Sequence, residues 1–180
     1  MEFEKNCFSD AMLINPKCNK DDRGFFQELY KKSVFHNQQL KEDFCQINFS
    51  HSHKSVIRGL HYQLNPSAQG KLVKCTSGII WDVIVDIRKD SPYFLQWKGF
   101  VLDPERGMIY IPPGFAHGFA ALEDGTSIIY LCTSEYDQEA ERGIKWDDKI
   151  LRIEWPVDNP IVSEKDEKNP TIKNAELFEY

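Results

Sequence analysis

The sequence lacks the close cysteine pairs and the long apolar runs that mark several large classes of protein. Its five cysteines are scattered, and no two form a CxxC pair, so a zinc knuckle or a dithiol redox motif is not expected. No apolar run approaches the ~20 residues that cross a bilayer, and residues 1–6 contain no apolar stretch typical of a signal peptide. We therefore expect a cytoplasmic protein without a membrane partner, whose thiols are reduced and mostly buried.

The sequence also lacks an excess of basic residues. It has 22 Lys and Arg against 28 Asp and Glu, which gives a net charge of −6. Because nucleic-acid binding depends on clustered positive charge, a nucleic-acid partner is not expected. The 180 residues are 41% hydrophobic, an ordinary globular composition once glycine is included. This length predicts a single domain over residues 1–180 with a core of its own.

The middle of the chain alternates with a period of two residues, which is typical of β-strands. Along residues 81–88 one face is apolar throughout, and the other consists of Asp82, Ile84, Asp86 and Arg88. Further strands are predicted at 44–50, 57–63, 72–75, 97–102, 108–111 and 127–133. Helix signals are few: Ser33 could cap a short helix that ends near Lys41, and residues 174–180 could form a turn or two. Residues 156–172 are predicted to be an ordered surface loop. The pattern predicts an all-β sandwich or barrel with a few short helices.

Three segments place polar residues beside glycines, namely 58–63, 69–73 and 112–119. If residues 58–63 are a regular strand, His61 and Gln63 share a face with Gly59, and Arg58 lies on the opposite face. Polar side chains inside a barrel are costly unless they have partners. Such a cost is tolerated where a ligand or a reaction uses the groups, so these segments indicate a functional site.

Other common kinds of site find little support. His51 and His53 share one strand face, but no acidic residue lies between His53 and His61, and the cationic Lys54 and Arg58 stand there instead. We therefore expect no metal, and we expect His51 and His53 to be exposed loop residues. The sequence has no G-x-S-x-G elbow, no GxGxxG motif and no P-loop.

Taken in order, the polar segments resemble the dTDP-4-dehydrorhamnose 3,5-epimerase family. The segments that carry the resemblance include 22–26, 46–48, 58–63, 71–73, 111–119 and 163–166, and the match spans roughly residues 20–170. The resemblance implies a cupin-type jelly-roll, or double-stranded β-helix, barrel. It also implies a homodimer built by sheet-to-sheet packing and a nucleotide-diphosphate sugar as substrate. The implied reaction inverts the carbons that flank a 4-keto group, in surface-polysaccharide sugar synthesis, and it uses neither a metal nor another cofactor.

The resemblance also assigns roles to individual residues. It implies that His61 is the base, that Asp166 orients it, that Tyr130 is the proton donor on the opposite face, and that Lys71 is the cation at the ketone oxygen. The implied substrate-binding residues are Arg23, Glu28, Gln46, Asn48, Arg58, His117, Tyr136, Glu141 and Lys165. Among these, Tyr136 is the ring expected to stack on the nucleobase, although its residue type alone equally suits ordinary barrel packing.

Several alternatives stay open at this point. A relative of the same family could invert only C3 or only C5, or could act on a GDP-linked 4-keto heptose. A non-catalytic sugar-binding cupin and a metal-dependent cupin oxygenase are the readings from other functional classes. The presence of both a base and a proton donor favours double inversion.

Overall fold

The computed structural model describes residues 1–8, 10–40 and 43–179, and within them two antiparallel sheets face each other. The six-stranded sheet has the order β1 (Glu2–Phe8), β2 (Ala11–Asn15), β10 (Met108–Ile111), β7 (Lys71–Ser77), β12 (Thr126–Cys132) and β5 (Gln46–Ser52). The five-stranded sheet has the order β13 (Glu141–Gly143), β6 (Ile57–Gln63), β11 (Phe115–Ala121), β8 (Ile80–Asp86) and β9 (Trp97–Leu102). A hairpin of β3 (Cys18–Asp21) and β4 (Gly24–Gln27) and two short helices, α1 (Lys32–Asn37) and α2 (Glu164–Glu167), complete the elements.

The five-stranded sheet is buried on both faces. Ile84 and Phe119 point inward and pack with Val73 and Ile128 of the other sheet. On the outer face lies a second apolar cluster, which contains Leu60, Val83, Ile87, Ile144, Leu151, Ile172 and Phe178. Chain segments beyond β13 therefore cover this sheet from outside, and they stay in place because apolar burial stabilises by about 25 cal/mol per Å².

The predicted fold class is confirmed: two facing antiparallel sheets form a cupin-type barrel with two short helices. Three predicted strands, 57–63, 97–102 and 108–111, have the observed bounds. The strands β1 to β4, β11 and β13 were not predicted. Strand β11 follows Pro112-Pro113-Gly114 and contains a glycine, so turn signals obscure its alternation.

The helix predictions were less accurate. Helix α1 begins at Lys32 with Lys31 at the N-cap position, so Ser33 does not cap it, and its predicted end at Lys41 lies outside the described residues. Residues 172–174 form a turn, but residues 174–179 contain no helix. The surface loop predicted at 156–172 includes α2, whose N-cap is Ser163.

The described cysteines differ in burial. Cys75 and Cys132 are buried, Cys18 is half-buried and Cys45 is exposed; all four are free thiols. The expectation of mostly buried thiols thus holds for two of these four. Across the described ranges, no helix has the length and apolar character needed to cross a bilayer.

Candidate active site

A cavity of about 640 Å³ lies between the two sheets, and it gathers most of the predicted site residues. Its lining includes Arg58, His61, Lys71, His117, Tyr130, Glu141, Lys165 and Asp166. An adjoining cavity of about 330 Å³ adds Gln46, Asn48 and Tyr136 and shares His61, Lys71, Tyr130 and Glu141 with the first. Residues that are far apart in sequence thus form one continuous polar site.

His61, which is half-buried, and Asp166, which is buried, form an imidazole–carboxylate pair. His61 lies on β6, and its Nε2 donates to Asp166 Oδ1 at 2.6 Å. Asp166 lies on α2 and is 3% exposed, and its Oδ2 accepts from the Gly59 N–H at 3.3 Å. Burial opposes ionisation, but the hydrogen bonds from His61 and Gly59 outweigh it and hold the pKa of Asp166 below its ordinary value.

This pairing leaves the other nitrogen of His61 free to act as a base. A carboxylate only accepts hydrogen bonds, so His61 Nε2 must carry a proton. Nδ1 makes no hydrogen bond to any of the described residues, and His61 lines the cavity. A neutral imidazole held in this way offers the Nδ1 lone pair to a proton of a bound molecule.

Arg58 does not lie on the strand face that regular alternation predicts, and the backbone conformation of Gly59 helps to explain why. Regular alternation puts Arg58 and His61 on opposite faces, yet both line the cavity. Gly59 has a φ of +127°, and the pairing of β6 with β11 shifts register between His117 and Phe119. These two departures from a regular strand turn Arg58 toward the cavity. There its Nε donates to Ser52 Oγ at 3.1 Å.

Replacing Gly59 by Ala should destabilise the protein and disturb the site. A Cβ at Gly59 would lie 2.5 Å from Gly118 Cα and 2.8 Å from the His117 carbonyl oxygen. We expect a loss on the order of 3 kcal/mol in the free energy of unfolding, from backbone strain and overpacking. Urea unfolding measures it. Gly24→Ala is the matched control, because Gly24 has a φ of +124° with no atom near a Cβ. Equal losses in both variants would show that the close approach to β11 contributes nothing.

Tyr130 and Lys71 lie on the wall opposite His61. They belong to β12 and β7 of the six-stranded sheet, whereas His61 belongs to the five-stranded sheet. Burial raises the pKa of Tyr130, so its phenol keeps its proton. Burial lowers the pKa of Lys71 despite the opposing effect of nearby Asp82 and Glu141. The ammonium of Lys71 makes no hydrogen bond to the described residues, so it is available to a bound molecule.

Tyr136, Glu141 and Lys165 form a hydrogen-bonded cluster at the mouth of the site. Tyr136 OH donates to Glu141 Oε2 at 2.8 Å, and Lys165 Nζ donates to Glu141 Oε1 at 2.7 Å. Gln46 Oε1 accepts from the Tyr136 backbone N–H at 2.7 Å, and Gln46 Nε2 donates to Asn48 Oδ1 at 3.0 Å. Tyr136 is 53% exposed. Its ring is therefore not part of the barrel packing and has a face available for stacking.

Arg23 and Glu28 lie outside both cavities. Arg23 is exposed at the turn of the β3–β4 hairpin, where its Nη2 donates to Asp21 Oδ2 at 2.6 Å. Glu28 follows β4 and is also exposed. Within a single chain, these two predicted binding residues therefore lie apart from the other eleven predicted site residues.

The structure adds one residue that sequence reasoning did not place in the site. Asp82 on β8 accepts from His117 Nε2 at 2.7 Å, and Asp82 is 0% exposed. Its position on the inward face of the alternating segment 81–88 was the available signal. His117 lines the cavity as predicted.

The two remaining histidines of interest lie on the surface. His51 is exposed, but it lies on β5 and not in a loop, and its Nδ1 is 2.9 Å from Ser127 Oγ. His53 follows the strand and is exposed as predicted. Over residues 1–8, 10–40 and 43–179, no three or more His, Cys, Asp or Glu side chains are grouped to hold a metal ion.

Comparison with known proteins gives consistent results. The sequence model of the family described as dTDP-4-dehydrorhamnose 3,5-epimerase matches residues 5–174. A protein of that name from Shigella flexneri is 46% identical over 180 residues, which cover 99% of both chains. The crystal structure of the Bacillus anthracis dTDP-4-dehydrorhamnose 3,5-epimerase with TDP and PPi bound has a TM-score of 0.92 and 43% identity, and the match covers 95% of this chain and 99% of that one. A dTDP-6-deoxy-D-glucose-3,5-epimerase from Legionella pneumophila, in complex with dTDP-4-keto-L-rhamnose, has a TM-score of 0.94 and 37% identity, with 99% and 98% covered.

Proposed function

Since the chain belongs to the dTDP-4-dehydrorhamnose 3,5-epimerase family, we propose that it inverts C3 and C5 of a dTDP-linked 4-keto-6-deoxy sugar. A C–H beside a ketone is acidic because the electron pair left behind delocalises into an enolate. Inversion then needs a base on one face of the sugar, a proton donor on the other face, and positive charge at the ketone oxygen. His61, Tyr130 and Lys71 are the residues proposed for these three tasks.

One observation carries this proposal: His61 and Tyr130 line the same cavity from opposite sheets. In the proposed reaction His61 Nδ1 removes the proton from carbon, and the C–H electron pair moves into the enolate. The Tyr130 hydroxyl then delivers a proton to the other side of that carbon, and the electron pair returns to form the new C–H bond. Asp166 stabilises the imidazolium of His61 in the interval, since its pKa keeps it ionised at neutral pH.

The charged residues of the cavity suit a diphosphate. Arg58 and Lys165 line the larger cavity, and a guanidinium binds phosphate oxygens through paired hydrogen bonds. Tyr136 lines the adjoining cavity, where its exposed ring could stack on a nucleobase. Lys165 is ion-paired with Glu141, so a diphosphate would have to share or replace that carboxylate. These features support a nucleotide-linked sugar as the substrate class.

The test is deuterium incorporation from D₂O. The protein is incubated with dTDP-linked and GDP-linked 4-keto-6-deoxy sugars, and NMR follows deuterium entry at C3 and C5. We expect incorporation at both carbons of the dTDP-linked substrate. Incorporation at one carbon only would replace double inversion by a C3-only or C5-only reaction. The absence of exchange with every such substrate would overturn the epimerase proposal and favour a non-catalytic sugar-binding barrel.

Tyr130→Phe should separate exchange from inversion. Without the phenol, His61 can still remove a proton and return a deuteron to the same face, so deuterium enters with retention of configuration. We expect the inverted product to form about 100-fold more slowly, as NMR coupling constants of the sugar protons would show. Tyr93→Phe is the control, because Tyr93 is exposed and outside the cavity. Inversion at the wild-type rate in Tyr130→Phe would exclude Tyr130 as the donor.

We further propose that the protein is a homodimer formed by sheet-to-sheet packing. Support comes from β5, an edge strand with Ile47 and Phe49 exposed, and from the β3–β4 hairpin with Phe25 and Phe26 exposed. Ile47 and Phe49 are two positions apart on β5 and so share one face of the sheet, and exposed apolar side chains on one face are typical of an association surface. A dimer could also bring Arg23 and Glu28 to the cavity of the second copy. Sedimentation measures the oligomeric state, and a monomer at micromolar concentration would overturn this proposal.

The cytoplasmic location stays a prediction from the sequence.

A further inference from the structure

His117, which lines the cavity, belongs to a second imidazole–carboxylate pair besides that of His61 and Asp166. His117 Nε2 donates to Asp82 Oδ2 at 2.7 Å. The side chain of His117 is 9% exposed and that of Asp82 is 0% exposed. His117 and His61 are paired across β11 and β6, so the two imidazoles stand side by side, each bound through Nε2 to a buried carboxylate.

Asp82 is incompletely satisfied. Its Oδ1 is buried and has no hydrogen-bond partner among the described residues. A buried carboxylate with a single hydrogen bond is costly unless positive charge lies close to it. The cationic candidates are His117, which touches it, and Lys71, which interacts with it electrostatically across the cavity. His117, which is in direct hydrogen-bond contact with the carboxylate, supplies this charge if its ring carries both protons.

The second nitrogen of His117 is free for a bound molecule. Nδ1 makes no hydrogen bond to the described residues, and His117 lines the cavity with Lys71. If His117 carries both protons, Nδ1–H is a donor on the five-stranded wall, opposite the Lys71 ammonium. Asp82 on β8 contacts the ring through Nε2. The other titratable groups that line the same cavity are Arg58, His61, Lys71, Tyr130, Glu141, Lys165 and Asp166.

We propose that Asp82 is a positioning residue that holds His117 as an imidazolium whose Nδ1–H donates to the ketone oxygen of the substrate. This inference rests on the proposed function. As His61 removes the proton from carbon, the electron pair moves toward the ketone oxygen, and the hydrogen bond from His117 strengthens with the growing negative charge. No proton needs to leave His117. In this proposal Asp82 acts through His117, by fixing the orientation and the charge of the imidazole.

A purely structural role for Asp82 makes a different prediction. Phe100 and Phe119 are the residues paired with Asp82 on the neighbouring strands, and a buried ion pair in apolar surroundings is often no more stabilising than neutral residues. If Asp82 only supported the fold, Asp82→Asn would lower the free energy of unfolding. It would not change the rate of the reaction through the charge of His117.

The experiment compares Asp82→Asn with wild type by two measurements. The first is the ¹⁵N NMR signature of the His117 ring at neutral pH, which distinguishes imidazolium from neutral imidazole without an activity assay. We expect imidazolium in wild type and the neutral ring in Asp82→Asn. The second is epimerisation kinetics, in which kcat should fall about 10–100-fold while KM changes little. Asp90→Asn, at an exposed position, is the matched control and should change neither measurement.

The outcomes separate this inference from the function on which it rests. A neutral His117 ring in wild type, or an unchanged kcat in Asp82→Asn, would overturn the role of Asp82 even if the wild type epimerises its substrate. The double variant Asp82→Asn/His117→Gln should be no slower than His117→Gln alone, since Asp82 acts through His117. Additive losses would contradict that dependence. The absence of exchange in wild type would instead remove the proposed function itself.

Discussion

Replacing His61 by Asn should abolish hydrogen exchange at C3 and C5. Asn keeps a polar side chain near Asp166 but has no group that can take a proton from carbon. We expect the exchange rate to fall by about 10²–10⁴-fold, the usual contribution of a positioned general base. NMR of a dTDP-linked 4-keto-6-deoxy sugar in D₂O measures the effect, and circular dichroism checks that the fold is retained.

The matched control for this change is His53→Asn. The side chain of His53 is 81% exposed, and His53 lies outside both cavities, so the same substitution there should leave the exchange rate unchanged. Wild-type exchange in His61→Asn would show that another group is the base. Equal losses in both variants would indicate a general effect of the substitution and not the removal of a base.

Replacing Lys71 by Met should lower the reaction rate nearly as much as His61→Asn does. Met has a similar length and apolar volume, so the change removes positive charge with little loss of packing. A cationic donor at a developing enolate typically contributes about 3–4 kcal/mol of barrier, so we expect kcat to fall by about 10²–10³-fold. Lys149→Met is the control, because Lys149 is 89% exposed and outside the cavity. A kcat within a few-fold of wild type in Lys71→Met would exclude Lys71 as the enolate-stabilising cation.

Lys71 should also determine the pH at which activity declines on the alkaline side. Burial lowers the pKa of Lys71 below that of an ordinary lysine. The ammonium form is the active one, so activity should be lost as the pH rises through this lowered pKa, below the pH at which exposed lysines titrate. Lys71→Arg keeps the charge at high pH, so its residual activity should not show this decline. An identical alkaline limb in Lys71→Arg would assign the limb to another group.

Local periodicity predicted the strands that carry His61, Lys71 and Tyr130, but it missed β11 and β13, which carry His117 and Glu141. Strand β6 has the predicted bounds, and alternation alone places His61 on the same face as Gln63. The orientation of Arg58 could not be predicted from alternation. Its orientation depends on the positive φ of Gly59 and on a register shift in the neighbouring strand, and neither is visible in a pattern of polar and apolar residues.

The pairing of His61 with Asp166 could not be derived from spacing. The two residues are 105 positions apart, and Asp166 lies on a helix of four residues, too short to produce a helical pattern. Only the resemblance to a family of known chemistry connected them. The pairing of His117 with Asp82 was missed because β11, the strand that carries His117, was not predicted.

The position of Asp166 in the C-terminal part of the chain links activity to the order of assembly. The segments that follow β13 cover the outer face of the five-stranded sheet and also carry the carboxylate that orients His61. A chain whose sheets have formed but whose final segments have not docked would possess His61, Tyr130 and Lys71 without the partner of the base. Enzymatic activity during refolding should therefore appear last, after the β-sheet signal, and would report the docking of the outer layer.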